Sequence, residues 1–181
     1  MVNLFGKGFI GTYYANMYPC IVNDKYDLTP KNKNILYFIS TTSNNTFKDN
    51  PYIDVETNLM TMLRVLEKCK NNGTTFNFIS SWYVYGGGKS VNEEHTCNPQ
   101  GFYSITKRTA EQLLIEYAKE FNINYRIIRL SNVLGKGDNK SSQHKNVLTH
   151  LIQKIKRNEP IVLQDNGDLW LHNHFHVLRV V

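Results

Sequence analysis

A tyrosine and a lysine stand four residues apart in the segment GFYSITKRTAEQLL, at Tyr103 and Lys107. Residues with this spacing face the same way only on a helix, and strong helix formers follow the pair. The lysine ammonium could then stabilise the phenolate and lower the pKa of the tyrosine. Such a tyrosine is a candidate acid or base for a substrate hydroxyl. An ordinary pair on a helix surface has the same spacing, so spacing alone leaves both interpretations open.

A second Tyr-x-x-x-Lys pair, Tyr85 and Lys89 in YGGGK, has three glycines between its members. Glycine is the residue type, after proline, that least favours a helix. We therefore interpret the spacing of Tyr85 and Lys89 as chance and keep Tyr103 and Lys107 as the candidate pair.

The segment FGKGFIG has the pattern Gly6-x-Gly8-x-x-Gly11 between a short apolar strand and a helix. Gly6 allows a tight turn, Gly8 lets the backbone approach a pyrophosphate, and Gly11 lets the helix pack closely. The helix N-terminus adds unpaired N–H groups and partial positive charge. We predict that this segment, including Phe9 and Ile10, binds a dinucleotide cofactor; a purely structural glycine turn is the alternative.

Asp24 closes the second predicted strand, CIVN, where an acidic side chain can accept hydrogen bonds from an adenosine ribose and favour NAD. It follows Gly11 more closely than usual, so the intervening helix must be short, and Pro19 fits an early end. Lys7 and Lys25 would instead suit the extra phosphate of NADP. The prediction is NAD, with NADP as the alternative.

Ser80 and Ser81 end the predicted buried strand FNFIS and begin the segment SSWYVYGG. The carboxyl edge of an open α/β sheet is where ligands bind. A serine at that edge can hydrogen-bond a substrate oxygen whose charge changes during reaction. We take both serines as substrate-binding candidates, although a pair that ends a strand is often structural.

Apolar strands alternate with helices along the chain, which predicts an α/β fold: a Rossmann-like, doubly wound parallel sheet covered on both faces. The length of 181 residues suits one NAD(P)-binding domain. Residues 132–181 are expected to contribute a truncated substrate-binding lobe. The predicted strands are VNLF, CIVN, NILYFIS (34–40), FNFIS (76–80) and YRIIRL (125–130), and the predicted helices are 12–17, 51–70, 102–120 and VLTHLIQKIKR.

Composition narrows the class of protein. The three cysteines, Cys20, Cys69 and Cys97, are widely spaced, which argues against a disulfide framework and suits a reducing cytoplasm. No start resembling a signal peptide and no long apolar run is present in the sequence. We therefore expect a cytoplasmic protein without a membrane span.

The net charge of +6 invites a nucleic-acid interpretation. The basic residues are spread along the chain, and the densest group, KIKRN, fits a solvated helix face, so nucleic-acid binding is not predicted.

His172, His174 and His176 alternate as on one strand face and could chelate a metal. No cluster of cysteines or carboxylates supports them, and no metal site is predicted.

Five motifs follow one another along the sequence: the glycine motif, SSWYVYG, YSITK, RLSNVLG and HNHFHV. Their order and rough spacing are those of the extended short-chain dehydrogenase/reductase family, which this sequence resembles over nearly its whole length. The family includes nucleotide-sugar epimerases, dehydratases and reductases. The resemblance implies that Tyr103 is the acid/base and that Lys107 holds the nicotinamide ribose while lowering the tyrosine pKa. It also implies that Ser81 binds the reacting oxygen.

Three further residues match the family pattern. The resemblance places Ser40 beneath the cofactor, Asn58 at an asparagine of the following helix, and Asn132 in contact with the nucleotide-sugar. It also implies a homodimer through the helices at 54–70 and 102–120. Trp82 and Tyr83 stand where dehydratases have acidic residues, so dehydration is not expected.

Two more departures concern the adenine side and the substrate. The segment 24–34 is too short for the usual helix and third strand, and His172 replaces an arginine expected near the substrate diphosphate. The resulting prediction is an NAD(P)-dependent nucleotide-sugar epimerase or 4-keto reductase, with SSWYVYG favouring the epimerase. The alternative is a catalytically reduced NAD(P)-binding module that acts as a sensor or partner subunit, as the short lobe suggests. The set Ser81, Tyr103 and Lys107 speaks against that alternative.

Overall fold

In the part of the chain that the structure describes, five parallel strands form one sheet, in which the second strand of the chain comes first, followed by the first, third, fourth and fifth. The structure is a computed structural model and describes residues 1–42, 46–86, 91–131, 133 and 147–161. The strands are β1 (Val2–Phe5), β2 (Cys20–Val22), β3 (Asn34–Tyr37), β4 (Thr75–Ser81) and β5 (Asn124–Leu130). The helices are α1 (Phe9–Met17), α2 (Thr46–Asp49), α3 (Ile53–Val55), a π-helix (Glu56–Met60), α4 (Thr61–Glu67), a 3-10 helix (Trp82–Tyr85), α5 (Phe102–Glu120) and α6 (Val147–Lys156).

The sheet is covered on both faces, as predicted for a doubly wound fold. Successive strand residues point to opposite faces. Leu4 of β1 faces α1, since a Cβ placed on Gly11 would lie 3.5 Å from the Leu4 side chain. The next residue, Phe5, belongs to the main core with residues of α4 and α5. This core contains Phe5, Ile35, Tyr37, Met62, Val65, Leu66, Phe76, Phe78, Ala110, Leu114 and Ile127.

The strand order places a topological switch between β1 and β3, because the chain leaves β1 towards β2 and returns to the other side at β3. Ligands of open α/β sheets bind at the carboxyl ends of the strands beside such a switch. The glycine turn follows β1, Ser40 follows β3, and Ser81 ends β4. The three segments singled out from the sequence therefore reach the same edge.

A loop takes the place of an outer helix and strand between β2 and β3, as the short segment 24–34 predicts. A buried pair of amides holds it: Asn3 Nδ2 donates to Asn23 Oδ1 at 2.6 Å, and the Lys31 N–H donates to Asn3 Oδ1 at 2.6 Å. Asn23 Nδ2 in turn donates to the carbonyls of Asp27 and Thr29 at 2.7 and 2.8 Å. The loop is thus fixed by side chains where a sheet edge would otherwise continue.

Two predicted elements, a helix and a strand, differ from the structure in their bounds or in their type of helix. The helix expected over 51–70 consists of α3, the π-helix and α4 in succession. The strand expected over 34–40 ends as β3 at Tyr37, because its partner β1 stops at Phe5 and turns at Gly6. The lobe predicted for 132–181 lies mostly outside the described residues. In the described part of the chain, no helix is long and apolar enough to cross a membrane.

Candidate active site

Two glycines of the N-terminal motif are required by close packing. Gly6 has φ +93°, and a Cβ there would stand 2.7 Å from the backbone nitrogen of Ile39. A Cβ on Gly11 would stand 2.2 Å from the carbonyl oxygen of Gly6. The turn therefore presses against both the segment after β3 and the first helix, and a side chain at either position would separate them.

Gly8 has a different role, since a Cβ there would meet no atom within 4 Å. It is the N-cap of α1, and no side chain caps the helix. The half-buried Phe9 and Ile10 begin the first turn. Backbone N–H groups at a helix N-terminus, next to a glycine with open space around it, form a cradle for an anion such as a diphosphate. The predicted cofactor segment therefore fits a dinucleotide.

Asp24 lies just beyond β2, at the edge of the sheet beside the glycine turn. Its side chain is exposed and accepts a 3.1 Å hydrogen bond from the N–H of Tyr26. Lys25 lies next to it, with Nζ 5.3 Å from the centre of the Tyr26 ring. The carboxylate predicted to favour NAD and the ammonium group predicted to suit NADP thus stand at the same edge.

Tyr103 lies in the first turn of α5 and meets two of the other predicted residues. The side chains of Ser81 and Ser40 lie near its hydroxyl, where they favour the ionised form of the phenol. Burial raises the pKa of Tyr103, and the two serines oppose that rise. The ring of Tyr83 meets the Tyr103 ring edge-on, with centroids 6.4 Å apart. A phenol and two hydroxyls from three separate segments therefore converge at the carboxyl edge of the sheet.

Lys107 is buried one turn further along α5, and its ammonium group turns towards the sheet. Nζ donates a 2.7 Å hydrogen bond to the carbonyl of Ile79 and lies 4.1 Å from the centre of the Phe78 ring. Burial lowers the pKa of Lys107 to about 7, and the Glu111 carboxylate opposes that change. The expected lowering of the Tyr103 pKa is not found, because burial of the phenol outweighs the groups that favour its ionised form.

Ser81 and Ser80 point in opposite directions, as neighbours on a strand must. Ser81 accepts a 3.3 Å hydrogen bond from the N–H of Tyr83 and caps the 3-10 helix. Ser80 is buried near Glu111 and helps to lower the pKa of that carboxyl, although its Oγ makes no hydrogen bond of normal geometry. The structure brings Ser81, and not Ser80, to Tyr103.

Asn58 is the centre of a buried polar network that joins β3 to α5. Its Oδ1 accepts hydrogen bonds from Ser40 Oγ at 3.0 Å and from the Thr41 N–H at 2.9 Å. Its Nδ2 donates to Thr41 Oγ1 and to Thr106 Oγ1, each at 2.9 Å. The fully buried Asp54 carboxylate accepts from Thr41 Oγ1. π-Helical segments such as the one that carries Asn58 often mark functional sites.

Thr41, Asp54 and Thr106 were not identified from the sequence. A signal was present for one of them: Asp54 and Asn58 are polar residues four apart on a helix that otherwise buries apolar side chains. Asn132 and the three alternating histidines lie outside the described residues. In the described ranges, no three His, Cys, Asp or Glu residues come together in a group that could hold a metal ion.

Comparison with known proteins identifies the family. The family model described as the NAD dependent epimerase/dehydratase family matches residues 35–172, more than half of the chain. The chain belongs to this family. It is a family that depends on NAD, in agreement with the cofactor predicted from the glycine turn and Asp24.

Curated relatives share a limited part of their length with this chain. It is 28% identical over 123 residues to the putative UDP-glucose 4-epimerase of Methanocaldococcus jannaschii, covering 66% of this chain and 40% of that protein. It is 29% identical over 128 residues to UDP-glucuronic acid decarboxylase 4 of Arabidopsis thaliana, covering 67% and 28%. The chain thus spans less than half the length of these relatives.

Solved structures share the fold. UDP-glucose 4-epimerase of Thermotoga maritima, in a structure with UDP-glucose, superposes with a TM-score of 0.76 at 21% identity, covering 91% of this chain and 66% of that one. UDP-glucuronic acid 4-epimerase of Bacillus cereus, in complex with NAD, gives 0.78 at 20% identity, covering 91% and 65%. RMD of Pseudomonas aeruginosa, complexed with NADPH, gives 0.71 at 22% identity, covering 91% and 63%.

Proposed function

We propose that this protein is an NAD(P)-dependent enzyme of nucleotide-sugar metabolism, an epimerase or a 4-keto reductase, with Tyr103 as its acid/base. The convergence of Tyr103, Ser81 and Ser40 at the carboxyl edge of the sheet carries the proposal. The same edge holds the glycine turn, whose open cradle at Gly8 fits a diphosphate. The curated relatives, named for UDP-glucose and UDP-glucuronic acid, support a nucleotide-sugar as substrate.

The cofactor would lie against the N-terminus of α1, with Gly8, Phe9 and Ile10 at its diphosphate and Asp24 at the adenosine ribose. A bound nicotinamide supplies a hydride acceptor or donor for the sugar carbon. NAD is the proposed form, in accord with Asp24 and with the family description. Lys7 and Lys25 keep NADP as the alternative.

Each residue of the site has a role that its position supports. Ser81 would hydrogen-bond the reacting oxygen of the sugar, and Tyr103 would exchange a proton with that same oxygen. Because burial raises the pKa of Tyr103, the phenol keeps its proton at neutral pH and is ready to protonate a ketone oxygen. Removing a proton from a sugar hydroxyl needs the opposite change. Lys107 lies buried beneath this site. Its positive charge, held beside the ribose of the bound cofactor, would lower the pKa of Tyr103.

The test is turnover of nucleotide sugars. Purified protein is incubated with NAD and UDP-glucose, and separately with UDP-glucuronic acid, and the products are separated by anion-exchange chromatography. A new sugar isomer is expected, and Tyr103→Phe should lower its rate by about 100-fold or more. Tyr83→Phe is the matched control, since it removes a neighbouring hydroxyl and keeps both rings. Cofactor binding without turnover of either sugar would exclude the epimerase; if NADH and a UDP-4-keto sugar also gave no NADH oxidation, the reduced binding module would be supported instead.

A further inference from the structure

Glu111 of α5 is a fully buried carboxylate that bonds two arginines. Arg129 of β5 reaches it with two bonds, from Nε at 2.9 Å and from Nη2 at 2.8 Å. Arg108 donates from Nη1 at 2.8 Å. Paired bonds of this kind between a guanidinium and a carboxylate fix the geometry of both groups. The strand β5 and the helix that carries Tyr103 are thereby joined.

The other side of Arg129 contacts the segment that carries Ser81. Its Nη1 donates a 2.7 Å hydrogen bond to the Tyr85 hydroxyl, and its guanidinium lies 4.8 Å from the centre of the Tyr85 ring. Tyr85 is the last residue of the 3-10 helix that Ser81 caps. A path of charged hydrogen bonds therefore runs from α5 through Glu111 and Arg129 to the helix that follows Ser81.

Lys107 lies one turn before Glu111 on the same helix and is fully buried. β4 gives its ammonium group a carbonyl, that of Ile79, and the face of the Phe78 ring, neither of which is charged. Glu111 is four residues further along the helix, so both buried side chains lie on the same face of α5, and its carboxylate favours the protonated form of Lys107. Arg129 and Arg108 share that carboxylate and so weaken its effect on the lysine.

We propose that Glu111, Arg129 and Tyr85 form a positioning clamp that fixes the Ser81 segment relative to Tyr103, and that Glu111 is also the counter-charge for Lys107. The role assigned to Lys107 and Tyr103 rests on the proposed function. Stability alone does not account for the clamp, since a buried ion pair seldom stabilises a fold more than well-packed apolar residues would. A counter-charge for the buried lysine and a fixed position of the Ser81 segment would account for it.

The counter-charge is tested by NMR on protein labelled with ¹³C-lysine, following the Cε signals with pH. The signal of Lys107 is assigned by its absence in Lys107→Met. In Glu111→Gln its titration midpoint should move down by about one pH unit. In Arg108→Ala, which frees the carboxylate from one competing cation at a partly exposed position, the midpoint should move up. An unchanged midpoint in either folded variant, or shifts of the same sign in both, would overturn the counter-charge.

The link to Ser81 is tested by amide hydrogen exchange at Tyr83, whose N–H donates to the Ser81 side chain, and at Gly86, whose N–H donates to the Tyr83 carbonyl. Tyr85→Phe should speed their exchange by roughly tenfold, since one hydrogen bond to a charged group is lost. Tyr125→Phe, on the same strand as Arg129, is the control and should leave both amides unchanged. Equal exchange in Tyr85→Phe and wild type would overturn the link. Neither measurement needs cofactor or substrate, so failure here is distinct from failure of the proposed function.

Discussion

Asn58 donates a 2.9 Å hydrogen bond to Thr106, which in turn donates a 3.0 Å bond to the carbonyl of Tyr103. The other end of the same amide accepts bonds from Ser40 and Thr41 at the end of β3. One buried side chain therefore joins the segment after β3, which carries Ser40, to the helix that carries Tyr103.

Replacement of Asn58 by leucine should cost about 2–4 kcal/mol in the free energy of unfolding, because several buried polar groups lose their partner together. Urea denaturation of Asn58→Leu measures the cost. Asn16→Ala, at an exposed position of α1, is the control and should change stability by less than about 0.5 kcal/mol. A cost for Asn58→Leu no larger than that of the control would show that the network does not hold the site together.

The glycine turn yields a matched pair of alanine variants. Gly6→Ala should lower the free energy of unfolding by at least about 2 kcal/mol, because it combines a positive φ with a contact of its Cβ against the backbone. Gly8→Ala should leave stability within about 1 kcal/mol, since a Cβ there has open space. It should instead weaken NADH binding by about an order of magnitude, measured by fluorescence titration. Equal stability losses, or unchanged NADH affinity in Gly8→Ala, would contradict these roles.

The buried lysine makes stability depend on pH. The pKa of Lys107 is about 7 in the fold, against an ordinary value of 10.5. Between these two values the unfolded chain binds a proton that the folded protein does not, so the stability of the wild type rises with pH in that window. Relative to Lys107→Met, the wild type should gain roughly 3 kcal/mol from about pH 6 to about pH 9.

Urea titrations of both proteins at the two pH values measure this gain. Lys119→Met is the control: its lysine is exposed and its pKa is raised by Glu116, so it stays protonated in both states and should show no such difference. If the stability gap between wild type and Lys107→Met stayed constant with pH, Lys107 would not titrate in this range.

Local patterns in the sequence were sufficient to predict the strands and helices and part of the candidate active site. The alternation of strands and helices predicted the parallel sheet, and the position of Tyr103 and Lys107 at the head of a helix followed from the strong formers behind them. Gly6 and Gly11 were correctly predicted to allow a tight turn and close packing, because both requirements arise within a few residues. The parallel sheet then explains why Ser40 and Ser81, far apart in the chain, end at one edge.

Contacts between segments that lie far apart in the chain could not be predicted from the sequence. The direction of Lys107 depends on the Ile79 carbonyl and the Phe78 ring, which a neighbouring strand brings beneath α5. The predicted fall in the Tyr103 pKa was wrong for the same reason, since burial of that phenol results from packing that spacing does not reveal. The network of Asp54 and Asn58 forms only when β3, the π-helix and α5 are assembled.

The most direct test is a titration of purified protein with NADH and with NADPH, following nicotinamide fluorescence, on wild type and on Lys107→Met. We expect saturable binding, tighter for NADH than for NADPH, and weaker by about tenfold or more in Lys107→Met, since a charged hydrogen-bond donor is lost. Tighter binding of NADPH would reassign the cofactor and leave the site in place. Absence of saturable binding of either nucleotide at millimolar concentration would contradict the account of this chain as an NAD(P)-dependent enzyme.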